Sequence, residues 1–225
     1  MSPLESLVAA NLLFVGGHLL MSHPLRAPMV GALGERGFLG VYSLVSVALL
    51  AWVGHLFPQA QSIWMAWPSG DALWIVASVL TIFALALLLG SLRGNPALPQ
   101  TDALAAANAR ARGVYAVTRH PMMWAFALWA MAHILVWPSP RTLVTAGAMG
   151  VLALLGAHLQ DGKKRALMGD AWAAWEAKTS YWPRLSSFAR IGWGLWLAAL
   201  ALWLAATWLH MWMAGIPAGI FRWTG

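Results

Sequence analysis

The sequence contains no cysteine, which excludes disulfide bonds, thiolate metal ligands, iron–sulfur clusters and covalently attached haem. Charged residues are also scarce: they make up 9% of the 225 residues, whereas hydrophobic residues make up 60%. A soluble globular domain normally carries about 25% charged residues. The composition therefore excludes an ordinary water-soluble protein, and any redox metal would have to be held by histidine.

The hydrophobic residues form long runs close to the roughly 20 residues that an α-helix needs to cross a bilayer. Six runs are found, at residues 3–22, 38–57, 72–91, 121–137, 142–160 and 191–213. They predict an all-α polytopic membrane helical bundle, with about six transmembrane helices in a single domain of residues 1–225. Many of the 16 Trp are expected at the lipid–water boundary.

The basic residues are concentrated in alternate connectors. Twelve of the fourteen Lys and Arg lie in segments 22–37, 92–120 and 161–190. Such loops stay in the cytoplasm, so the net charge of +7 predicts a membrane orientation and not a nucleic-acid partner. Both termini are then expected on the periplasmic side of a bacterial inner membrane. The first run lacks a basic leader and a small-residue cleavage site, which predicts a retained helix.

Two of these connectors have helical patterns of their own. Residues 101–119 are rich in alanine and predict a helix on the membrane surface, and residues 163–180 alternate basic residues with Leu167, Trp172 and Trp175, as an interfacial amphipathic helix does. Asp161 and the following basic residues have two interpretations. They are either a solvated anchor for anionic lipid or a source of cations for a bound cofactor.

His18 and His133 lie deepest in their predicted spans, where an ionisable side chain needs a partner. Each is explained either by a hydrogen bond to a neighbouring helix or by metal ligation. Gly16 and Gly17 leave space beside His18, and His133 lies among four aromatic residues, Trp124, Phe126, Trp129 and Trp137. Two imidazoles on facing helices can hold a haem. The other histidines are expected near the membrane surfaces.

Four segments carry a resemblance to a known family: Gly-Val-Tyr-Ala-Val-Thr-Arg-His-Pro-Met-Met-Trp at 113–124, Trp-Ala-Met-Ala-His at 129–133, Gly-Ala-His-Leu-Gln-Asp at 156–161 and Leu-Gly-Glu-Arg-Gly at 33–37. They resemble the NnrU family of bacterial membrane proteins, which is similar to the plant 15-cis-ζ-carotene isomerase. The resemblance implies haem b, with His133 and His18 as iron ligands. It implies either redox-gated isomerisation of a lipophilic polyene or a role in nitrogen-oxide reduction (denitrification).

Arg119, His120 and His158 lie in the matching segments and are also predicted to bind the cofactor. A haem at the cytoplasmic side needs cations for its propionates, and Lys164 or Arg165 could supply them, as could Arg26 and Arg36 of the first loop. Ala130 stands where the isomerase has a cysteine, so exchange of iron onto a thiolate is not available here.

The Gly-x-Tyr-x-x-x-Arg-His-Pro string is also similar to membrane methyltransferases that use S-adenosylmethionine. In that alternative Arg119 and His120 would meet the carboxylate of the cofactor. Met123 replaces a tyrosine of those enzymes, and Asp161 followed by Gly162 replaces a pair of glutamates. A structural interpretation also exists, in which Arg-His-Pro only starts a helix with Pro121 in its first turn.

Overall fold

Six long helices account for most of the chain in the computed structural model, which describes residues 1–97 and 102–224. They are α1 (Pro3–Ser22), α2 (Arg26–Leu56), α3 (Asp71–Ser91), α6 (Pro121–Val136), α7 (Pro140–Met168) and α9 (Trp193–Ala214), with the shorter α4 (Ala103–Asn108), α5 (Val114–Val117), α8 (Asp170–Lys178) and α10 (Phe221–Thr224) between and after them. Five of the six are long and apolar enough to span a membrane, and α6 is a shorter apolar helix. The all-α polytopic prediction is confirmed.

Local sequence signals set the starts of these helices. Ser2 and Glu5 form a reciprocal capping box at α1, and the Ser139 side chain accepts a hydrogen bond from the backbone of Thr142 at the start of α7. Both α6 and α7 have proline at their first position, where the missing N–H costs nothing. The helix-start interpretation of Pro121 is therefore correct.

The three basic connectors meet at one end of the bundle, called the basic end below. Lys163 Nζ donates to Ser22 O (3.5 Å), and Lys164 Nζ donates to Pro96 O (2.9 Å), so α1, α3 and α7 all finish there. At the opposite end Arg222 pairs with Asp71. The charges predict that successive spans run in alternate directions, and the helices of the fold do so.

The bundle is built around α3, α6 and α7. Helix α6 packs between α3 and α7, α9 packs on α3, and α1 packs on α2 and α7. A polar contact links α1 to α7, because Asn11 Nδ2 donates to Thr145 Oγ1 (3.3 Å) and also to Leu7 O (2.9 Å). Most side chains of α2 face outward, as expected of a helix at the lipid boundary.

The first basic connector differs from the prediction because it is mostly helical. Helix α2 begins at Arg26, twelve residues before the predicted span, and is interrupted at Gly34. Gly34 has φ +69°, a conformation that residues with a Cβ rarely adopt, so it produces a kink between two helical parts. Arg26 bridges the kink by its ion pair with Glu35.

The predicted interfacial helix at 163–180 is wrong in two respects. Helix α7 continues to Met168 and so contains Lys163, Lys164 and Arg165. Gly169, with φ +52°, separates it from α8. Trp172 and Trp175 are 0% and 2% exposed, packed in a cluster with Tyr115 and Phe188. They fill the protein core at the basic end and do not lie in lipid headgroups.

The predicted surface helix at 101–119 is also divided. Thr101 lies outside the described residues, and α4 and α5 are separated by residues 109–113. Helix α4 packs on α8, and Val114, Tyr115 and Val117 of α5 are buried. The segment is thus part of a cap of short helices that covers the basic end of the bundle.

Candidate functional site at the basic end

The candidate site lies where α6 begins and is fixed by two loop segments that pair through their backbones. Arg119 N donates to Ser180 O (2.8 Å), and Arg184 N donates to Val117 O (2.9 Å). Thr118 is fully buried, and its hydroxyl donates to Tyr181 O (2.7 Å). These bonds hold Arg119 and His120 in place before the first turn of α6.

Asp161, on the last turns of α7, accepts hydrogen bonds from both of these side chains. Arg119 makes a two-pronged contact, with Nε 3.0 Å and Nη2 2.6 Å from Asp161 Oδ2. His120 Nε2 lies 2.9 Å from Asp161 Oδ1. Asp161 is only 4% exposed and His120 only 2%. Charge-assisted bonds of this kind are among the strong ones in a dry environment.

A second carboxylate extends the network toward the surface. Glu176 of α8 lies 3.5 Å from Arg119 Nη2 and accepts two hydrogen bonds from Arg165, at 2.7 and 2.8 Å. Two guanidinium groups therefore face two carboxylates. The formal charges of these four groups cancel.

Tyr181 closes one side of the network. Its ring centre lies 5.5 Å from that of His120 and 5.5 Å from the Arg119 guanidinium carbon. Burial and the nearby Asp161 carboxylate raise the pKa of the Tyr181 hydroxyl. The hydroxyl donates to Leu154 O (3.0 Å), which ties the loop to α7.

The burial of Asp161 bears on the first of the two interpretations given above, the solvated anchor. An acidic side chain that is 4% exposed and bonded to Arg119 and His120 is not a solvated anchor. Lys164 and Arg165 are also engaged, with Pro96 O and Glu176 respectively. The polar residues at the end of α7 therefore hold the cap onto the bundle.

A small cavity adjoins His120. It is lined by residues from the α3–α4 connector, from the start of α6 and from α7, namely Asn95, Ala97, Arg119, His120, Met122, Met123 and Gln160. Within the described part of the chain, His120 Nδ1 is buried without a hydrogen-bond partner. Since Nε2 is bonded to Asp161, Nδ1 is the acceptor of this ring in its neutral form.

The two predicted iron ligands occupy different surroundings. The His18 ring contacts Phe14 and Tyr42, and lies one turn from the basic end of α1. His133 is in the last turn of α6, toward the opposite end. Counted along the helices from the basic end, the two residues lie at depths of about 6 and about 18 Å. Ring contacts among the described residues do not join His18 to His133.

The structure instead brings His133 next to His210 of α9, with ring centres 6.2 Å apart. Because a metal–imidazole bond is about 2 Å long, two imidazoles on one metal ion have ring centres about 6 Å apart. His133 Nδ1 bonds to Trp129 O (2.8 Å), and His210 Nδ1 bonds to Ala206 O (2.7 Å). These backbone bonds orient the rings and leave Nε2 for a ligand.

His18 has the same donor chemistry, because its Nδ1 lies 2.9 Å from Phe14 O. Each of the three imidazoles can therefore offer Nε2 to an iron atom. The two that lie close together are those of His133 and His210. His158, also predicted to bind a cofactor, is exposed on the surface of α7.

The arrangement of Arg119 bears on the methyltransferase alternative. Its guanidinium group already binds Asp161 and Glu176, so a cofactor carboxylate would have to displace one of them. The network has the geometry of a structural ion-pair cluster that presents one imidazole to a cavity.

These features define a polytopic, all-helical membrane protein with a capped basic end and a buried Arg–His–Asp cluster. The model of the family described as NnrU protein matches residues 6–218, and the chain belongs to this family. No curated protein and no solved structure matches the chain.

Three residues described here, Glu176, Asp161 and His210, are not among the predicted site residues. Glu176 is far from Arg119 in the sequence, and the residues around it have the composition of a surface helix. A signal for Asp161 did exist, since an acidic residue at the end of an apolar helix needs a cationic partner. His210 was assigned to the membrane surface, and only the packing of α9 on α3 brings it to His133.

Proposed function

We propose that this NnrU-family protein binds haem b through His133. The observation that supports the proposal is the orientation of this ring: Nδ1 bonds to Trp129 O, and a second imidazole, His210, lies at the spacing of two ligands on one metal. The family resemblance supplies the choice of haem. Bound haem would supply one-electron chemistry at iron.

The second iron ligand has two candidates. The resemblance favours His18, which lies beside Tyr42 and would require α1 and α6 to approach. The packing of the described residues favours His210. Both rings have Nδ1 bonded to a carbonyl of their own helix, so either can offer Nε2.

The position of His133 also decides which basic residues can pair with the haem propionates. Lys164 and Arg165 belong to the basic end, whereas His133 lies toward the opposite one. Arg141 begins α7 at the same end as His133, and its Nε is buried without a partner in the described residues. An unpaired buried donor of this kind suits a carboxylate, so we assign Arg141 to this role.

Absorption spectroscopy of the full chain, expressed with ample haem and purified in detergent, tests the proposal. We expect a Soret band that His133→Ala abolishes or strongly shifts, whereas His158→Ala, a change at an exposed position, leaves it intact. His18→Ala and His210→Ala are compared directly, and the second ligand is the residue whose loss converts a low-spin spectrum to a high-spin one. A wild-type protein without a Soret band or pyridine haemochrome contradicts the proposal.

The reaction is proposed by class only. A haem within a lipid-facing helical bundle is suited to redox-gated isomerisation of a lipophilic polyene, or to an accessory role in nitrogen-oxide reduction. The two are separated by adding a cis-polyene to the reduced protein and following its absorption, and by measuring the spectrum under nitric oxide. If neither measurement shows a change, both assignments are contradicted.

We also propose that the basic end faces the cytoplasm of a bacterial inner membrane and that both termini are periplasmic. The grouping of three basic connectors at one end supports this orientation. Alkaline phosphatase fused after Thr224 is expected to be active, and the same reporter inserted after Arg110 is expected to be inactive. The reverse pattern contradicts the orientation.

A further inference from the structure

The His120 ring is held on one side only. Its Nε2 bonds to Asp161 Oδ1, its side chain is 0% exposed, and its Nδ1 has no partner in the described residues. A buried nitrogen without a partner has lost its hydrogen bond to water and gained none in return, which is unfavourable. A native site rarely keeps this cost unless a ligand or water satisfies the atom.

The adjoining cavity has room for a small polar group, and part of its lining is apolar. Its volume is about 30 Å³, whereas one water needs about 10–15 Å³. Asn95 and Gln160 provide amides, whereas Met122 and Met123 provide flexible apolar walls. Methionine adapts to apolar ligands of varied shape.

Asp161 determines what His120 can bind. An ionised carboxylate only accepts hydrogen bonds, so in the neutral form of His120 the proton lies on Nε2 and the lone pair on Nδ1. The carboxylate is in turn held by two nitrogens of Arg119. The site therefore selects a hydrogen-bond donor, and a hydroxyl group is the smallest donor that an amphiphile can carry into the cavity.

We propose that this cavity binds the hydroxyl group of a long-chain alcohol or hydroxylated lipid, which donates to His120 Nδ1 beside the apolar side chains of Met122 and Met123. Asp161 is a positioning residue that sets the tautomer of His120. The site does not depend on the haem proposal, because it lies at the basic end, whereas His133 lies toward the other end.

The test uses the full chain, labelled with ¹⁵N-histidine, in lipid nanodiscs. The probe is 1-dodecanol, and dodecyl methyl ether is the matched compound without a donor. We expect a saturable ¹⁵N shift of His120 Nδ1 with the alcohol only, and no shift of the exposed His158. Equal shifts with both compounds, or none with the alcohol, overturn the proposal and leave water as the partner.

Variants locate the binding. Gln160→Leu fills one wall of the cavity and is expected to weaken the alcohol at least tenfold, whereas Gln59→Leu, an exposed change at the other end of the bundle, leaves it unchanged. If Gln160→Leu impairs folding, Met123→Phe tests the opposite wall in the same way. Unchanged affinity in the folded wall variant contradicts the location.

Discussion

Arg119 and Asp161 join the start of one membrane helix to the end of the next through two guanidinium nitrogens, at 3.0 and 2.6 Å from a single carboxylate oxygen. The two residues are 42 positions apart. Their contact closes the basic end of α6 and α7, while a short turn closes the opposite end. The cap of α4, α5 and α8 is then attached through Glu176.

Loss of Asp161 is expected to destabilise the protein strongly. Asp161→Asn removes the carboxylate charge that binds the buried Arg119 guanidinium group and leaves only Glu176, at 3.5 Å, to face it. Removal of one partner of a buried ion pair costs about 3–5 kcal/mol. The free energy of unfolding in mixed micelles measures this cost. Asp170→Asn changes an exposed carboxylate nearby and is expected to have little effect; equal effects of the two changes would argue against the buried network.

Gly90 is expected to tolerate no side chain. A Cβ at this position would overlap Val114 and come within 2.9 Å of Leu195 Cδ2, at the junction of α3, α5 and α9. Gly90→Ala should therefore lower the free energy of unfolding by about 1–3 kcal/mol through overpacking. Gly147→Ala is the control, because nothing lies within 4 Å of its added Cβ, and it should be neutral or slightly stabilising. A neutral Gly90→Ala would show that this junction is looser than described.

His23 is expected to make stability depend on pH. Burial and the charge of Lys163 lower the pKa of this ring below its usual 6.5. The unfolded chain therefore binds the proton more readily than the folded protein, so stability is greatest above pH 6.5 and declines as the pH falls toward the lowered pKa. The thermal midpoint between pH 8 and pH 5 measures the decline.

His23→Gln should flatten this part of the profile, whereas His158→Gln, at an exposed position, should keep the wild-type slope. An unchanged slope in His23→Gln would assign the pH dependence to another group.

Trp172 is expected to behave as a core residue. It is 0% exposed, in a cluster with Tyr115 and Trp175, so Trp172→Ala should cost about 3–5 kcal/mol in the free energy of unfolding. Trp193, which is 84% exposed, provides the comparison, and Trp193→Ala should cost far less. Brominated lipids should quench Trp193 and spare Trp172 when single-tryptophan variants are compared. The opposite quenching pattern would support the prediction of an interfacial helix at 163–180.

The hydrophobic spans could be predicted within a few residues at most ends because each depends on a local run of apolar residues. The predicted spans 3–22 and 72–91 match α1 and α3 almost exactly in extent. The errors fall where helices continue into the charged connectors. Helix α2 starts at Arg26 and α7 continues to Met168, although the charged residues of both segments predict loops.

Only part of the candidate site could be predicted from the sequence. Arg119 and His120 were singled out by their neighbours in the chain, but the amphipathic pattern of α8 favoured lipid contact for Trp172. A periodicity identifies an apolar face without saying whether lipid or protein covers it. The fold covers that face with α4 and α5.

Composition and charge placement by themselves determined a membrane bundle, its spans and its alternation, because crossing hydrocarbon requires satisfied backbone groups and apolar side chains within each segment. Tertiary packing decided which side chains meet. It gave Asp161 to Arg119 and His120, and it placed His133 beside His210. Such contacts depend on helix rotation and on neighbours distant in sequence, and neither quantity is contained in a local pattern.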